Sequence, residues 1–168
     1  MKFIQDLVFA LNSVPADSLN ALKNTVRAWK GSIIILGNGG SNAIASHMAE
    51  DYSKALGKRA FSFSDGARLS CYANDYGYDK AFCQFLKEFC DDDSLVILIS
   101  SSGNSKNIIN CAEYCKTEKL AYIVLTGFDE FNYINNKYAD HALSAFWVDS
   151  QDYGIVECTH EAILHSVI

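Results

Sequence analysis

The sequence lacks the features that would point to a nucleic-acid-binding, membrane or modular protein. Its net charge is −6 over 168 residues, which argues against a surface for nucleic acid. No apolar run approaches the roughly 18 residues of a membrane span, and there is no internal repeat or low-complexity linker. We therefore expect one domain over residues 1–168, with neither nucleic acid nor a membrane as its partner.

The first residues also lack the pattern of a secretion signal. Residues 1–12 are amphipathic and show no cleavage motif. The six cysteines are an even number, but most of them fall in predicted helices, so we expect reduced thiols in a cytoplasmic protein. Cys111 and Cys115 are four residues apart on one predicted helix, where we expect packing and not metal binding.

Two nucleotide-binding signatures are missing as well. The dinucleotide fingerprint is absent and no turn carries a Walker lysine, so nucleotide hydrolysis is not expected. Instead, apolar runs at 33–36 and 95–99 lead into turns rich in Gly, Ser and Asn at 37–41 and 100–105. Such turns let a ligand approach the backbone, and hydroxyls and helix N-termini bind anions without added charge. The two turns predict a site for one phosphate-bearing small molecule.

The rest of the chain alternates between short apolar runs and amphipathic segments. This alternation predicts right-handed βαβ units, with ligands bound beyond the carboxyl ends of the strands. We expect an α/β fold, a three-layer αβα sandwich around a five-stranded parallel, flavodoxin-like sheet, preceded by N-terminal helices. The predicted helices are Lys2–Asn12, Ala16–Lys30, Ser41–Leu56, Tyr78–Cys90, Ser105–Lys116 and 154–168, and the predicted strands are Ser32–Leu36, Arg59–Ser64, Leu95–Ser100, Ala121–Thr126 and Ala142–Trp147.

Histidines and carboxylates recur at helical spacing on two predicted helices. His47 and Asp51 are four residues apart and therefore share a helix face. Glu157, Glu161 and His165 repeat this spacing on the last helix. If the two helices meet, His47, Asp51, Glu157 and His165 suit either a zinc site or an acid–base pair.

Other polar residues are less diagnostic. Asn74 and Asp75 fit a helix cap or turn, and they equally fit a loop that holds sugar hydroxyls. His141 precedes a predicted strand, and His160 lies off the face shared by Glu161 and His165, so we interpret both histidines as structural.

Taken together, these motifs resemble the sugar isomerase (SIS) domain and, more narrowly, the phosphoheptose isomerase family. The resemblance spans nearly the whole chain and rests on Gly-Asn-Gly-Gly-Ser at 37–41, Cys-Tyr-Ala-Asn-Asp-Tyr-Gly at 71–77 and Ile-Ser-Ser-Ser-Gly-Asn-Ser at 99–105. It implies isomerisation of sedoheptulose 7-phosphate to D-glycero-D-manno-heptose 7-phosphate through an enediol, in heptose synthesis for lipopolysaccharide or capsule. It also implies one Zn²⁺ per subunit and a homotetramer with sites shared between chains.

The resemblance implies a role for each matching position. Asp51 would be the base and His165 the general acid, and Thr126 and Gly127 would follow the fourth strand. Zinc would be bound by His47, Asp51, Glu157 and His165. Substrate would be bound by Asn38, Gly39, Gly40, Ser41, Asp51, Asn74, Asp75, Ser100, Ser101, Ser102, Ser105 and Glu157.

Two positions depart from the family pattern. Asp51 stands where the family has Glu, with Glu50 just before it, and its side chain is one methylene shorter. A misplacement near 1 Å can cost about a hundredfold in rate. Glu157 stands where the family has Gln, and its negative charge should strengthen a zinc site. The alternative function is a non-catalytic SIS-domain phosphosugar sensor or protein-interaction module, which would keep the phosphate-binding turns and lose the base or acid.

The first 30 residues predict the contact between subunits. Two amphipathic helices in this segment can pack as a bundle with those of another copy. Their apolar faces carry Phe3, Leu7, Leu11, Leu22, Val26 and Trp29.

Overall fold

An all-parallel sheet of five strands, with helices on both faces, forms the centre of the molecule. The computed structural model describes residues 1–168. A short 3₁₀ turn at Ala139–His141 precedes the last strand. The helices are α1 (Lys2–Ser13), α2 (Ala16–Ala28), α3 (Gly40–Leu56), α4 (Gly66–Tyr76), α5 (Tyr78–Phe89), α6 (Lys106–Glu118), α7 (Tyr133–Tyr138) and α8 (Tyr153–His165), and the strands are β1 (Ile33–Gly37), β2 (Ala60–Ser62), β3 (Leu95–Ser100), β4 (Ala121–Gly127) and β5 (Ser144–Val148).

The strands lie in the order β2-β1-β3-β4-β5, which confirms the predicted flavodoxin-like sheet. Every residue of β1 and β3 is buried, as expected for strands covered on both faces. The chain moves outward to β2 on one side of β1 and to β3 on the other, so the switch point lies between β1 and β3. Ligands bind beyond such a switch point, where both predicted turns lie.

Each face of the sheet has its own apolar core, because successive strand residues point to opposite faces. On one face, Ile33 and Ile35 pack with α2, α3 and α8. On the other, Ile34 and Leu36 pack with α5 and α6. This confirms the three-layer sandwich. Because α3 and α8 cover the same face, side chains from these two helices can meet.

The two leading helices differ in how much apolar surface they expose. On α2, Leu22 and Val26 are fully buried in the core beside α3, so this face is already filled within the chain. On α1, Ala10 packs against α8, whereas Phe9 remains 66% exposed and Ile4 60% exposed. The exposed apolar face of this segment therefore lies on α1, and the contact between subunits predicted for residues 1–30 stays a prediction.

Helix α4 was not predicted from the sequence. None of its residues is fully buried, so apolar periodicity gives little signal there. It begins where Asp65 accepts a hydrogen bond from the Arg68 backbone N–H, and it ends at Gly77, whose φ is +80°. Asn74 and Asp75, expected in a cap, turn or loop, lie in its last turn.

Other differences from the predicted elements are small. Helix α2 ends at Ala28 and not at Lys30, β5 begins at Ser144 and not at Ala142, and β4 itself includes Thr126 and Gly127. Shifts of this size are usual at the ends of elements. The six-residue helix α7 was also missed. No helix combines the length and the hydropathy that a membrane span requires.

Candidate active site

The turn between β1 and α3 depends on its glycines. Gly39 has a φ of +53°, in the left-handed region that glycine adopts without strain. A Cβ on Gly40 would clash with the Glu157 carboxylate of α8, and one on Gly37 would clash with the backbone of Ser41. The turn thereby brings the first residues of α3 directly against a side chain of α8.

The turn between β3 and α6 is a cluster of hydroxyls. Ser100 Oγ donates to Ser105 Oγ at 3.2 Å, and Ser102 Oγ accepts a hydrogen bond from the Asn104 backbone N–H at 3.2 Å. The hydroxyl of Ser101 is buried and has no partner. Because buried polar atoms are nearly always hydrogen-bonded, this hydroxyl is a natural contact for a bound ligand.

A pair of amides links the two turns. Asn38 Nδ2 donates to Asn107 Oδ1 at 2.9 Å, and Asn107 Nδ2 donates to Asn38 Oδ1 at 2.7 Å. The Tyr78 hydroxyl also donates to Asn38 Oδ1, at 2.8 Å. Sequence reasoning missed Asn107 and Tyr78, and the only available signal was that Asn107 follows the serine-rich turn by two residues. The amide pair holds the two turns in register.

Both turns open into one cavity of about 120 Å³. No lysine or arginine lines it, so an anion there would be bound by hydroxyls, backbone N–H groups and helix N-termini. Burial raises the pKa of Glu157, which provides the one carboxyl in the wall. All lining residues except Ile99 and Tyr153 were predicted substrate contacts. The lining consists of Asn38, Ser41, Ile99, Ser100, Ser101, Ser102, Ser105, Tyr153 and Glu157.

A larger cleft of about 710 Å³ lies between α1 and the segment that joins β5 to α8. Its charged lining consists of Asp6, Asp149 and Asp152 against a single lysine, Lys2. That charge balance does not suit an anionic substrate, and the cleft contains none of the predicted site residues. We therefore assign the candidate site to the smaller cavity.

Helices α3 and α8 bring two imidazoles together around one carboxylate. Asp51 Oδ2 lies 3.5 Å from His47 Nε2 and 3.6 Å from His165 Nδ1. The two rings are 5.2 Å apart between centroids and lie edge to face. The hydroxyl of Tyr52 donates to the Leu164 carbonyl at 2.9 Å, which ties α3 to α8 beside the cluster. The sequence suggested this meeting, and the packing of the helices establishes it.

The cluster also has the composition of a metal site. Donor atoms of His47, Glu161 and His165 all lie within 4.8 Å of one another, and Glu161 Oε1 is 3.8 Å from His165 Nε2. A second group, His47, Glu50 and Asp51, overlaps with the first. Two imidazoles with a carboxylate are a common ligand set for catalytic zinc, so these side chains fit a divalent ion.

Glu157, a predicted zinc ligand, lies outside this cluster, and so do the predicted substrate contacts Asn74 and Asp75. Glu157 lies against Gly40 in the wall of the cavity. Asn74 and Asp75 are exposed at the end of α4, where Asn74 Nδ2 donates to Asp75 Oδ1 at 2.9 Å. Neither of these two residues lines the cavity within this chain.

His160 helps to place α8 and lies outside the cluster. Its ring is fully buried, and Nε2–H donates to the Thr126 carbonyl at the end of β4 at 2.9 Å. Burial lowers the pKa of His160 to about 4. The ring is therefore neutral near pH 7, in agreement with the structural role expected for it.

Comparison with known proteins gives a class and then a narrower family. The family model of the SIS domain matches residues 16–127, which include both turns and the His47–Asp51 pair. Phosphoheptose isomerase from Histophilus somni is 36% identical over 104 residues, which are 59% of this chain and 53% of that protein. The chain thus spans about half the length of this relative.

Two further similarities cover more of the chain. Phosphoheptose isomerase from Fusobacterium nucleatum is 32% identical over 141 residues, which are 81% of this chain and 70% of that protein. The structure of phosphoheptose isomerase GmhA from Neisseria gonorrhoeae superimposes with a TM-score of 0.86 at 22% identity, and covers 99% of this chain and 92% of that one. This chain belongs to the phosphoheptose isomerase family of SIS-domain proteins.

Proposed function

We propose that this protein is an aldose–ketose isomerase that converts sedoheptulose 7-phosphate to D-glycero-D-manno-heptose 7-phosphate. One observation carries the proposal: α3 and α8 each contribute to the serine-lined cavity at one end and to the histidine–carboxylate cluster further along. At 1.5 Å per residue, Ser41 and His47 are about 9 Å apart along α3. A sugar with its phosphate in the cavity can therefore extend its carbonyl end toward the cluster.

The phosphate end of the substrate is proposed to bind at the two turns. Contacts from the first turn come from Asn38, Gly39, Gly40 and Ser41, and contacts from the second from Ser100, Ser101, Ser102 and Ser105. The unpartnered Ser101 hydroxyl supports this assignment, since a phosphate oxygen would satisfy it. Binding energy gained at the phosphate is remote from the reacting carbons and can be used to orient them.

The chemistry is proposed to occur at the cluster. Asp51 takes a proton from C1 of the ketose while His165 donates one to the carbonyl oxygen at C2, which gives a cis-enediol. Asp51 then returns its proton to C2, and His165 recovers a proton from the hydroxyl on C1, which leaves the aldose. This assignment is supported by the position of Asp51 between the two imidazoles.

Zinc is the metal proposed for this site, one ion per subunit. Its chemistry, when bound, would be polarisation of the substrate oxygens. Of the ligands that the resemblance implies, His47, Asp51 and His165 lie together, and Glu157 lies in the cavity with the proposed substrate contacts.

We further propose a cytoplasmic homotetramer that serves heptose synthesis for lipopolysaccharide or capsule. All six cysteines are free, as in a reducing compartment. The exposed apolar face of α1 supports a contact between subunits. Asn74 and Asp75, which are exposed in this chain, would then contact substrate bound to a neighbouring subunit. A monomer in light scattering at micromolar concentration would contradict the oligomer.

The test of the activity is an aldose–ketose assay on sedoheptulose 7-phosphate. We expect the unmodified protein to form aldose, and Asp51→Asn to lose turnover but keep calorimetric binding, because Asn is nearly isosteric and cannot accept the proton. Asp140→Asn, a matched change before β5 at the opposite end of the sheet, should leave turnover unchanged. Binding without turnover in the unmodified protein would refute the isomerase and favour a phosphosugar sensor.

A further inference from the structure

The serine-rich turn between β3 and α6 is hydrogen-bonded to the start of α7. The Gly103 carbonyl accepts a hydrogen bond from the Ile134 backbone N–H at 3.0 Å. Asn104 Oδ1 accepts another from the Tyr133 backbone N–H, also at 3.0 Å. These are the first two N–H groups of α7, which have no partner within the helix. The turn thus satisfies the open end of α7, and α7 in return holds the tip of the turn.

Asn104 connects α7 to one serine of the cavity. Its Nδ2 donates to the Ser102 carbonyl at 3.0 Å, and its backbone N–H donates to Ser102 Oγ at 3.2 Å. Ser102 lines the cavity, whereas Asn104 does not. Asn104 can therefore affect a ligand in the cavity only through the serine that it holds.

The tip of the turn also packs closely against Asn132, the residue before α7. Gly103 has a φ of +62°, and a Cβ there would clash with the Asn132 side chain. Asn132 is 2% exposed; its Oδ1 accepts from the Asn135 backbone N–H at 3.0 Å, and its Nδ2 donates to the Asp129 carbonyl at 2.8 Å. Because Asn132 is held by its own loop, the turn packs against a side chain that has little freedom to move.

We propose that Asn104 is a positioning residue for the phosphate site. By joining Ser102 to the Tyr133 N–H, it holds the serine turn in its binding conformation before the sugar phosphate arrives. A turn that is already ordered loses less conformational entropy on binding, so the affinity is higher. This inference rests on the phosphate site of the proposed function.

A proline substitution tests the hydrogen bond itself, because Tyr133→Pro removes the N–H from which Asn104 accepts. Proline is favoured at the first position of a helix, and Asn132 already has the extended conformation, φ −58° and ψ 161°, that a following proline requires. The exposed Asn104 side chain can move aside from the proline ring. We expect Tyr133→Pro to weaken binding of inorganic phosphate and of sedoheptulose 7-phosphate by about 2- to 10-fold, as for the loss of one hydrogen bond.

Tyr133→Ala is the matched control. It removes the half-exposed ring and keeps the N–H, so it should bind both ligands like the unmodified protein. Phosphate titrations followed by nuclear magnetic resonance and calorimetry with the sugar phosphate give the two affinities. Far-ultraviolet circular dichroism checks that each variant is folded.

A second variant tests whether α7 acts through Asn104. Asn104→Ala removes the acceptor for Tyr133 and the Nδ2 donor to Ser102, so it should weaken binding at least as much as Tyr133→Pro. Because both changes delete the same hydrogen bond, the double variant should bind phosphate within about twofold of Asn104→Ala. Each change should raise KM more than it lowers kcat, because the phosphate is held alike in the ground state and the transition state.

The outcomes separate this inference from the proposed reaction. Unchanged phosphate affinity in Tyr133→Pro would overturn it, as would equal losses in Tyr133→Pro and Tyr133→Ala or additive effects in the double variant. A role in stability alone would lower the free energy of unfolding in urea and leave these affinities unchanged, which also overturns it. Inorganic phosphate reports on the turn whatever sugar is attached, so the expected losses in a protein that does not isomerise sedoheptulose 7-phosphate would support this inference and contradict the isomerase.

Discussion

The amide pair between the two turns offers a quantitative test of how the site is assembled. Asn107 is 2% exposed and takes part in three hydrogen bonds: two with Asn38 and one from the Ile108 backbone N–H at 3.1 Å. Asn107→Ala removes all three. At about 1 kcal/mol for each net hydrogen bond, we expect the free energy of unfolding to fall by about 2–3 kcal/mol. The Asn38 amide would keep only its hydrogen bond from the Tyr78 hydroxyl, so it would be held less firmly in the cavity wall and phosphosugar binding should weaken as well.

A double-mutant cycle isolates the link between the turns. If the two reciprocal hydrogen bonds link the turns, the effects of Asn38→Ala and Asn107→Ala on the free energy of unfolding should be non-additive. We expect a coupling energy of about 1–2 kcal/mol in urea unfolding. Tyr78→Phe is the control, since it deletes one half-exposed hydroxyl and should cost about 1 kcal/mol or less. This reasoning would be refuted if the free energy of unfolding of Asn107→Ala were within about 0.5 kcal/mol of that of the unmodified protein. It would also be refuted if the effects of the two single changes were additive.

Three further changes test other parts of the account. Ser105→Ala should weaken sedoheptulose 7-phosphate binding by about 1–3 kcal/mol in calorimetry, because a hydrogen bond to a charged group is lost; unchanged affinity would contradict the phosphate site. Gly40→Ala should displace the Glu157 carboxylate and weaken the same binding with little loss of fold, since a flexible side chain can move. His160 has a pKa lowered from 6.5 to about 4, so the unfolded chain takes up its proton first as pH falls. Stability should therefore decline from pH 6.5 to pH 4, by about 3 kcal/mol from this residue, and His160→Gln should remove that part of the decline in urea titrations.

The order of elements and the convergence of the two turns could be predicted from the sequence. Continuous apolar runs separated by amphipathic segments permit few topologies, and because the strands are parallel, both turns lie at the carboxyl edge of the sheet. Helix α4 could not be predicted in this way, because it buries no residue completely and depends on its Asp65 cap and on Gly77.

The details of the site depend on contacts between elements that are distant in sequence. Spacing puts Glu157, Glu161 and His165 on one helix face. Which of the two glutamates lies beside His47 depends on the position of α8 along the axis of α3, and no local sequence pattern determines that position. The pairing of Asn38 with Asn107 across the two turns is non-local for the same reason.

Exchange of the carbon-bound proton tests the central claim most directly. In an enediol route the base holds the transferred proton for a time, and that proton can exchange with solvent. Sedoheptulose 7-phosphate incubated with the protein in deuterated water should therefore incorporate deuterium at C1 or C2. Nuclear magnetic resonance should show this label in the unmodified protein and no label in Asp51→Asn. A protein that binds the sugar phosphate yet leaves these positions unlabelled would contradict the isomerase, and label that persists in Asp51→Asn would contradict Asp51 as the base.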